Sequence, residues 1–312
     1  MADLLLWYIF VFDVIFTWAI ASLVYKRGLE KTQPKANLFF RLCCTSLGTF
    51  IFSLIFGNYI ILENFSNAEL VSYLITCAIS GLSVTIGDLL YYMSLKKIDV
   101  SRTYPLAQTS LIFVIFFSIL FLNEEITYSI LIGCALILSS VFILSSKDKS
   151  EKVDAERSIG EKVSEDLIIG VLLAIGTAFF WALAYVSLNQ ARIISGDVFI
   201  SNFLRIGFGM ISIAILGIFQ PEYYSGFKKE NRKNLKSYVY IGIAGILSLG
   251  LADAIYIKAA EINGLILTSA FTINTPMLQQ ILSILILKEK FRKRFIIAVI
   301  LIIVGNYIIL FL

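Results

Sequence analysis

Residues Lys147 to Asp166 read KDKSEKVDAERSIGEKVSED. Twelve of these positions are charged, five basic and seven acidic, in a chain where charged residues make up only 15%. A stretch of this kind has no apolar face to bury, so it predicts a solvated linker. The flanks are its opposite. Residues 1–146 and 167–312 form two halves of equal length, dominated by long apolar runs. The linker therefore divides a hydrophobic chain into two equal parts.

The whole chain is 58% hydrophobic, with a mean hydropathy of +0.86. Ordinary soluble domains carry roughly 25% charged residues. The composition excludes a cytosolic enzyme, a disordered chain and a nucleic-acid binder, and the net charge of +4 is small. There is no histidine, which removes His general-base chemistry, His metal sites and haem ligation together. Cys43, Cys44, Cys77 and Cys134 all lie in apolar runs without CxxC spacing, so they read as small apolar fillers rather than a disulfide framework or zinc site. No cofactor or metal is expected. The apolar run from Leu4 is too long for a signal peptide and reads as a retained helix.

A membrane-spanning helix needs about 20 mostly apolar residues. Ten such runs lie near 4–25, 37–62, 70–95, 103–122, 128–146, 167–189, 198–219, 237–258, 265–287 and 294–312. The reading is an all-α integral membrane protein, with five helices in 1–146, the linker 147–166, and five helices in 167–312.

The two halves repeat one another. Phe16-Thr17-Trp18-Ala19 in helix one recurs as Phe179-Phe180-Trp181-Ala182 in helix six, at an offset of 163. Arg41 in helix two matches Arg205 in helix seven, at an offset of 164. Asp88 and Tyr91 in helix three match Asp253 and Tyr256 in helix eight, at an offset of 165. At that same offset Ser118-Ile119-Leu120 and the following Leu122 and Glu124 match Ser283-Ile284-Leu285, Leu287 and Glu289. Apolar matches come cheaply between membrane helices, but matched Asp, Arg and Glu do not. Five is odd, so the second copy enters the membrane from the opposite side. Ten helices in two inverted five-helix repeats are characteristic of secondary transporters, whose substrate sits near the midplane where the repeats meet.

Lys and Arg in the loops set the orientation. The loops after odd-numbered helices carry 22 of them, and the termini and remaining loops carry two, Arg192 and Lys258. This predicts a multi-pass protein of the cell membrane with the linker cytoplasmic and both termini outside.

These features resemble the drug/metabolite transporter superfamily, in its ten-helix EamA type. The likeness rests on the five-plus-five layout, the Trp18 and Trp181 motifs, Arg41 and Arg205, and the endings Leu122-Asn123-Glu124 and Leu287-Lys288-Glu289. Gly133 follows Glu124 by nine residues, as the family pattern prefers; the same position in the second copy is Ala298, Gly305 matches a later family glycine, and Pro276 matches the family's mid-helix proline in helix nine. In helix four that position is Leu111, with Pro105 six residues earlier. The resemblance implies an exporter or exchanger of a small metabolite such as an amino acid, driven by protons in some members. It also implies cytoplasmic termini, against which the charge count on this chain speaks.

An ionisable side chain in the hydrocarbon core costs about 2.5–3.5 kcal/mol on insertion scales, so it needs a partner or a wet cavity. Helix position places Arg41 and Asp88 toward the cytoplasmic face and Arg205 and Asp253 toward the outer face. Two ion pairs are expected, acting either as alternating gates or as static ties within each half. Asp13 has no counterpart in the second half, where Gly176 stands. It is read at the midplane of helix one, in a central cavity, with Thr17 one turn on. There it would carry a proton, pair with a cationic solute or bond to a neighbouring helix. Tyr104 and Gln108 in helix four and Asn274, Thr275 and Gln279 in helix nine complete the candidate pocket. Trp18, Tyr92, Trp181 and Tyr185 could stack on a planar or cationic solute, or pack against lipid. Glu124 and Glu289 read as structural. The expected partners are the lipid bilayer, a small-molecule solute and protons, with no nucleic acid and the oligomeric state open. No catalytic set such as DDxxD appears, so an enzyme is not expected. A channel or a non-transporting receptor-like membrane protein stands as the alternative.

Overall fold

The computed structural model of the chain describes residues 2–145, 160–228, 234–287 and 294–311. Among the described residues every regular element is a helix. Helix one is Ala2–Leu29, helix two Pro34–Phe56 and helix three Asn67–Lys97. Helix four runs as two pieces, Val100–Ala107 and Ser110–Leu122, and helix five is Tyr128–Ser145. In the second half, helix six is Gly160–Ser195 and helix seven Val198–Phe219. Helix eight comprises Leu235–Gly245, a π-helical turn over Ile246–Ala252, and Asp253–Asn263. Helix nine is also broken, into Leu265–Thr272 and Thr275–Leu282, with a π turn over Ser283–Leu287 after it. Helix ten is Arg294–Phe311.

Three sequence expectations change. Residues 160–166, read as linker, are the first turns of helix six. The rest of that linker (147–159) and Glu289 lie outside the described residues. Helices four and nine are not continuous. Each breaks at the same register, one at Gln108–Thr109 and the other at Ile273–Asn274, with the offset that relates Asp88 to Asp253. Around the breaks the backbone tightens into three-residue bonds, Leu111 N to Gln108 O and Met277 N to Asn274 O. Pro276 sits in the first turn of its new segment, where a missing N–H costs nothing. Pro105 lies inside its segment and has no N–H to give the preceding turn. Among the described residues seven helices are long and apolar enough to cross a membrane, with helices five and ten as shorter apolar companions.

The bundle is apolar outside and polar within. Leu5, Phe12, Ile51, Phe219 and Leu285 are exposed, while Arg41, Asp88, Arg205 and Asp253 are buried. A bilayer accepts the first set and repels the second. Helix three lies along helix six, and helix five along helix ten. The latter pair crosses through glycine. A Cβ on Gly133 would stand 2.7 Å from Gly305 O, and one on Gly305 2.8 Å from Gly133 O. Helices five and ten therefore close on one another at the edge of the bundle.

Lysines tie the helix ends on the face predicted to be cytoplasmic. Lys26 Nζ donates to Leu95 O at 2.6 Å, Lys96 to Leu29 O, and Lys97 to Asp166 at 2.5 Å. The first two cations meet carbonyls with no partner inside the helix, and the third pairs with a carboxylate. Across the repeat boundary, Glu124 accepts from Leu265 N at 2.6 Å and Ile266 N at 2.8 Å. The carboxylate caps helix nine just after Gly264, whose φ of +78° only glycine adopts freely. This is a structural role for Glu124.

Candidate functional site

A cavity lies at the centre of the bundle, where the two repeats meet. It is bordered by helices one, two, three, four, six, eight and nine. It encloses about 60 Å³ of space, enough for a few water molecules. Its polar wall is built from two matching clusters.

In the first, Arg41 of helix two bonds to Asp88 Oδ2 of helix three, both fully buried. Two tyrosines hold the guanidinium. Its Cζ lies 5.0 Å from the ring centres of Tyr25 and of Tyr92. The other carboxylate oxygen, Asp88 Oδ1, accepts from Trp181 Nε1 at 3.0 Å. Trp181 belongs to the second repeat. In the second cluster Arg205 bonds to Asp253 Oδ2, and Asp253 Oδ1 accepts from Trp18 Nε1 at 3.1 Å. Trp18 belongs to the first repeat. Each half thus supplies an Arg–Asp pair and receives its indole donor from the other half. The aromatic packing follows the same rule, with Tyr91 against Trp181 at 5.1 Å and Tyr256 against Trp18 at 5.3 Å. A buried charge must be paired and hydrogen-bonded, and here both carboxylate oxygens are engaged.

The sequence placed the two ion pairs at opposite faces. Both pairs flank one cavity, bordered by Arg41, Asp88 and Asp253, with Arg205 bonded to Asp253 from behind. Asp88 stands nine residues before the end of helix three and Asp253 ten before the end of helix eight, so the two repeats bring their carboxylates to the cavity from matching positions.

Of the eleven pocket candidates, Trp18, Tyr104, Gln108, Trp181 and Tyr185 border the cavity. Asp13 and Thr17 do not. Helix one presents Ser22 and Tyr25 to the cavity, whereas Thr17 borders a separate apolar groove with Phe16, Ile20 and residues of helix eight. Asp13, one turn earlier and half-buried, shares the flank of Thr17. Tyr92 is fully buried beneath Arg41 instead of facing a solute. Asn274 is turned toward helix ten, where Asn306 Nδ2 donates to it at 3.2 Å. Thr275 donates to Thr272 O at 2.5 Å, within the break of helix nine. Gln279 is fully buried, with neither amide atom paired, and does not border the cavity.

The sequence reading missed several wall residues. Tyr91 and Tyr256, three residues after the two aspartates, were visible as a repeat match, and both border the cavity. Tyr256 OH bonds to Ser269 Oγ at 2.5 Å. Tyr25 bonds to Ser248 across the repeats at 2.6 Å. Nothing in the sequence marked Tyr25, because its repeat-related counterpart is Leu188.

A solved crystal structure resembles the chain with a TM-score of 0.68, covering 96% of this chain and 94% of that one. The identity is 14%, so the likeness is one of fold. A protein of Archaeoglobus fulgidus described as an uncharacterized transporter is 26% identical over 174 residues. That match takes in 55% of this chain, and it spans about half (54%) of the relative's own length. The profile of the EamA-like transporter family matches residues 5–146 and again 168–311, one copy for each five-helix repeat. With the family matched twice, over nearly all of a two-repeat membrane fold, this chain belongs to the EamA-like transporter family.

Proposed function

We propose that the chain is a secondary carrier of a small organic solute, exchanging access to the central cavity between the two membrane faces. The observation that carries this reading is the pair of cross-repeat Arg–Asp–Trp clusters on one cavity wall. Any solute group that bonds to Asp88 or Asp253 competes with an indole N–H from the opposite repeat. Binding therefore acts on the contact between the halves, which is the contact an alternating-access cycle must change. The wall chemistry suits a solute with an ammonium or N–H group beside a compact apolar or planar part, and amino acids and their relatives fit that description. The carboxylates supply the anionic partner, and the faces of Trp18, Trp181 and Tyr185 supply ring contacts for a cation. Proton coupling is assigned to Asp88 or Asp253, because these border the cavity. Net export or exchange follows the resemblance to the exporters and exchangers of the superfamily, and the orientation, with the linker cytoplasmic and both termini outside, follows the loop charge count.

Counterflow tests the reading. Purified protein in proteoliposomes preloaded with unlabelled amino acid should take up the labelled form faster than empty vesicles do. A carrier accelerates exchange at zero net gradient and a channel does not. Uptake indifferent to preloading, with a solute shown to bind by a raised melting temperature, would overturn the carrier reading in favour of a channel.

A further inference from the structure

Helix three and helix eight are repeat-related, yet only helix eight contains a π turn before its aspartate. The cause lies in one residue. A Cβ on Gly81 of helix three would meet Arg205 O at 2.1 Å, and one on Gly245 of helix eight would meet Arg41 Cγ at 2.4 Å. Arg41 and Arg205 are repeat-related, so Gly81 and Gly245 make the same crossing in the two halves. From Gly81 to Asp88 is seven residues, but from Gly245 to Asp253 is eight. At 3.6 residues per turn, seven residues return an α-helix to within about 20° of its start, and eight overshoot by about 80°. An unbroken α-helix could therefore keep the glycine crossing or the Asp253–Arg205 bond, but not both. A π turn absorbs one residue and restores the phase.

The turn changes the backbone bonding. Asp253 N donates to Ser248 O, five residues back. In an α-helix it would donate to Leu249 O, four back. The freed Leu249 O accepts instead from Asn202 Nδ2 of helix seven at 2.9 Å, and Gly250 O accepts from the same nitrogen at 2.8 Å. Asn202 is buried, so water does not stand in for it. The position related to Asn202 in the first half is Leu38, where no π turn needs a donor.

We propose that Asn202 is a positioning residue for Asp253: its amide holds the π turn that aims the carboxylate at Trp18 and Arg205. The functional meaning rests on the carrier reading, but the geometry does not. The two halves of the site are thus alike in their final contacts and different in how they are held.

The test uses the three tryptophans, Trp7, Trp18 and Trp181, as reporters. Protein labelled with 5-fluorotryptophan gives one fluorine NMR line for each, assigned by single Trp→Phe changes. Asn202→Leu should shift or split the Trp18 line and leave those of Trp7 and Trp181 in place. Deleting Leu247 from the turn in the Asn202→Leu background should return the Trp18 line to its wild-type position, because helix eight then has the spacing of helix three. Should Asn202→Leu alone fail to fold, the deletion variant decides. A folded protein with a wild-type Trp18 line supports the proposal. A displaced line or another unfolded protein overturns it. A Trp18 line unmoved by Asn202→Leu, or all three lines moving together, overturns it as well. No solute is present, so a failure here is distinct from a failure of the counterflow experiment.

Discussion

Trp18 and Asp253 lie 235 positions apart in the sequence and on opposite sides of the duplication, and the indole of one donates to the carboxylate of the other at 3.1 Å. Trp181 and Asp88 repeat the arrangement at 3.0 Å. The site is therefore shared between the halves, and neither repeat completes it alone.

Trp18→Phe keeps a ring and loses the donor. Asp253 Oδ1 then retains only the long contact from Tyr185 at 3.4 Å. The expected cost is about 1.5–3 kcal/mol of stability, the usual range for a hydrogen bond to a charged group. Melting of the purified protein measures it. Unchanged stability would mean that the indole contributes packing alone.

Charge reversal probes the ion pairs. Arg41→Asp leaves two buried carboxylates facing one another and should cost about 3–5 kcal/mol or more. Adding Asp88→Arg should recover part of that loss. Recovery will be incomplete, because Tyr25 and Tyr92 are placed to hold a guanidinium where the new carboxylate stands. A double variant no better than the sum of the singles would show that the pair is not coupled.

Asp13→Asn should leave counterflow within about twofold of wild type, the scale of a change remote from the site. The motive is its place on the flank of helix one away from the cavity. A carrier made inactive or pH-insensitive by this change would return Asp13 to the transport mechanism and remove the assignment of coupling to Asp88 or Asp253.

Glu124→Ala removes the acceptor from Leu265 N and Ile266 N. Loss of a helix cap costs about 0.5–2 kcal/mol. Glu124→Gln retains one acceptor oxygen and should fall between wild type and Ala. If Gln proves as costly as Ala, the carboxylate charge matters more than the bond count.

Much of this was legible in the sequence, and the reasons are physical. Charged residues are scarce in membrane helices, so Arg41, Asp88, Arg205 and Asp253 stood out, and their spacing revealed the duplication. Depth along a helix could be counted, but the direction a side chain faces needs the neighbouring helices, and Asp13 was misplaced on that account. The Trp–Asp bonds join helices of different repeats, which no pattern within one helix encodes. The π turn did leave a trace. The repeat offset is 164 at Arg41 and 165 at Asp88, and the extra residue lies between Gly245 and Asp253.

The breaks in helices four and nine have a mechanical consequence. Gln108 and Leu111 flank one joint, Thr272 and Ile273 the other, and all four border the cavity. At each joint the backbone runs through three-residue bonds instead of an unbroken α-helical ladder, so the rod is softer in bending there than on either side. Each repeat thus sets one soft joint against the same cavity.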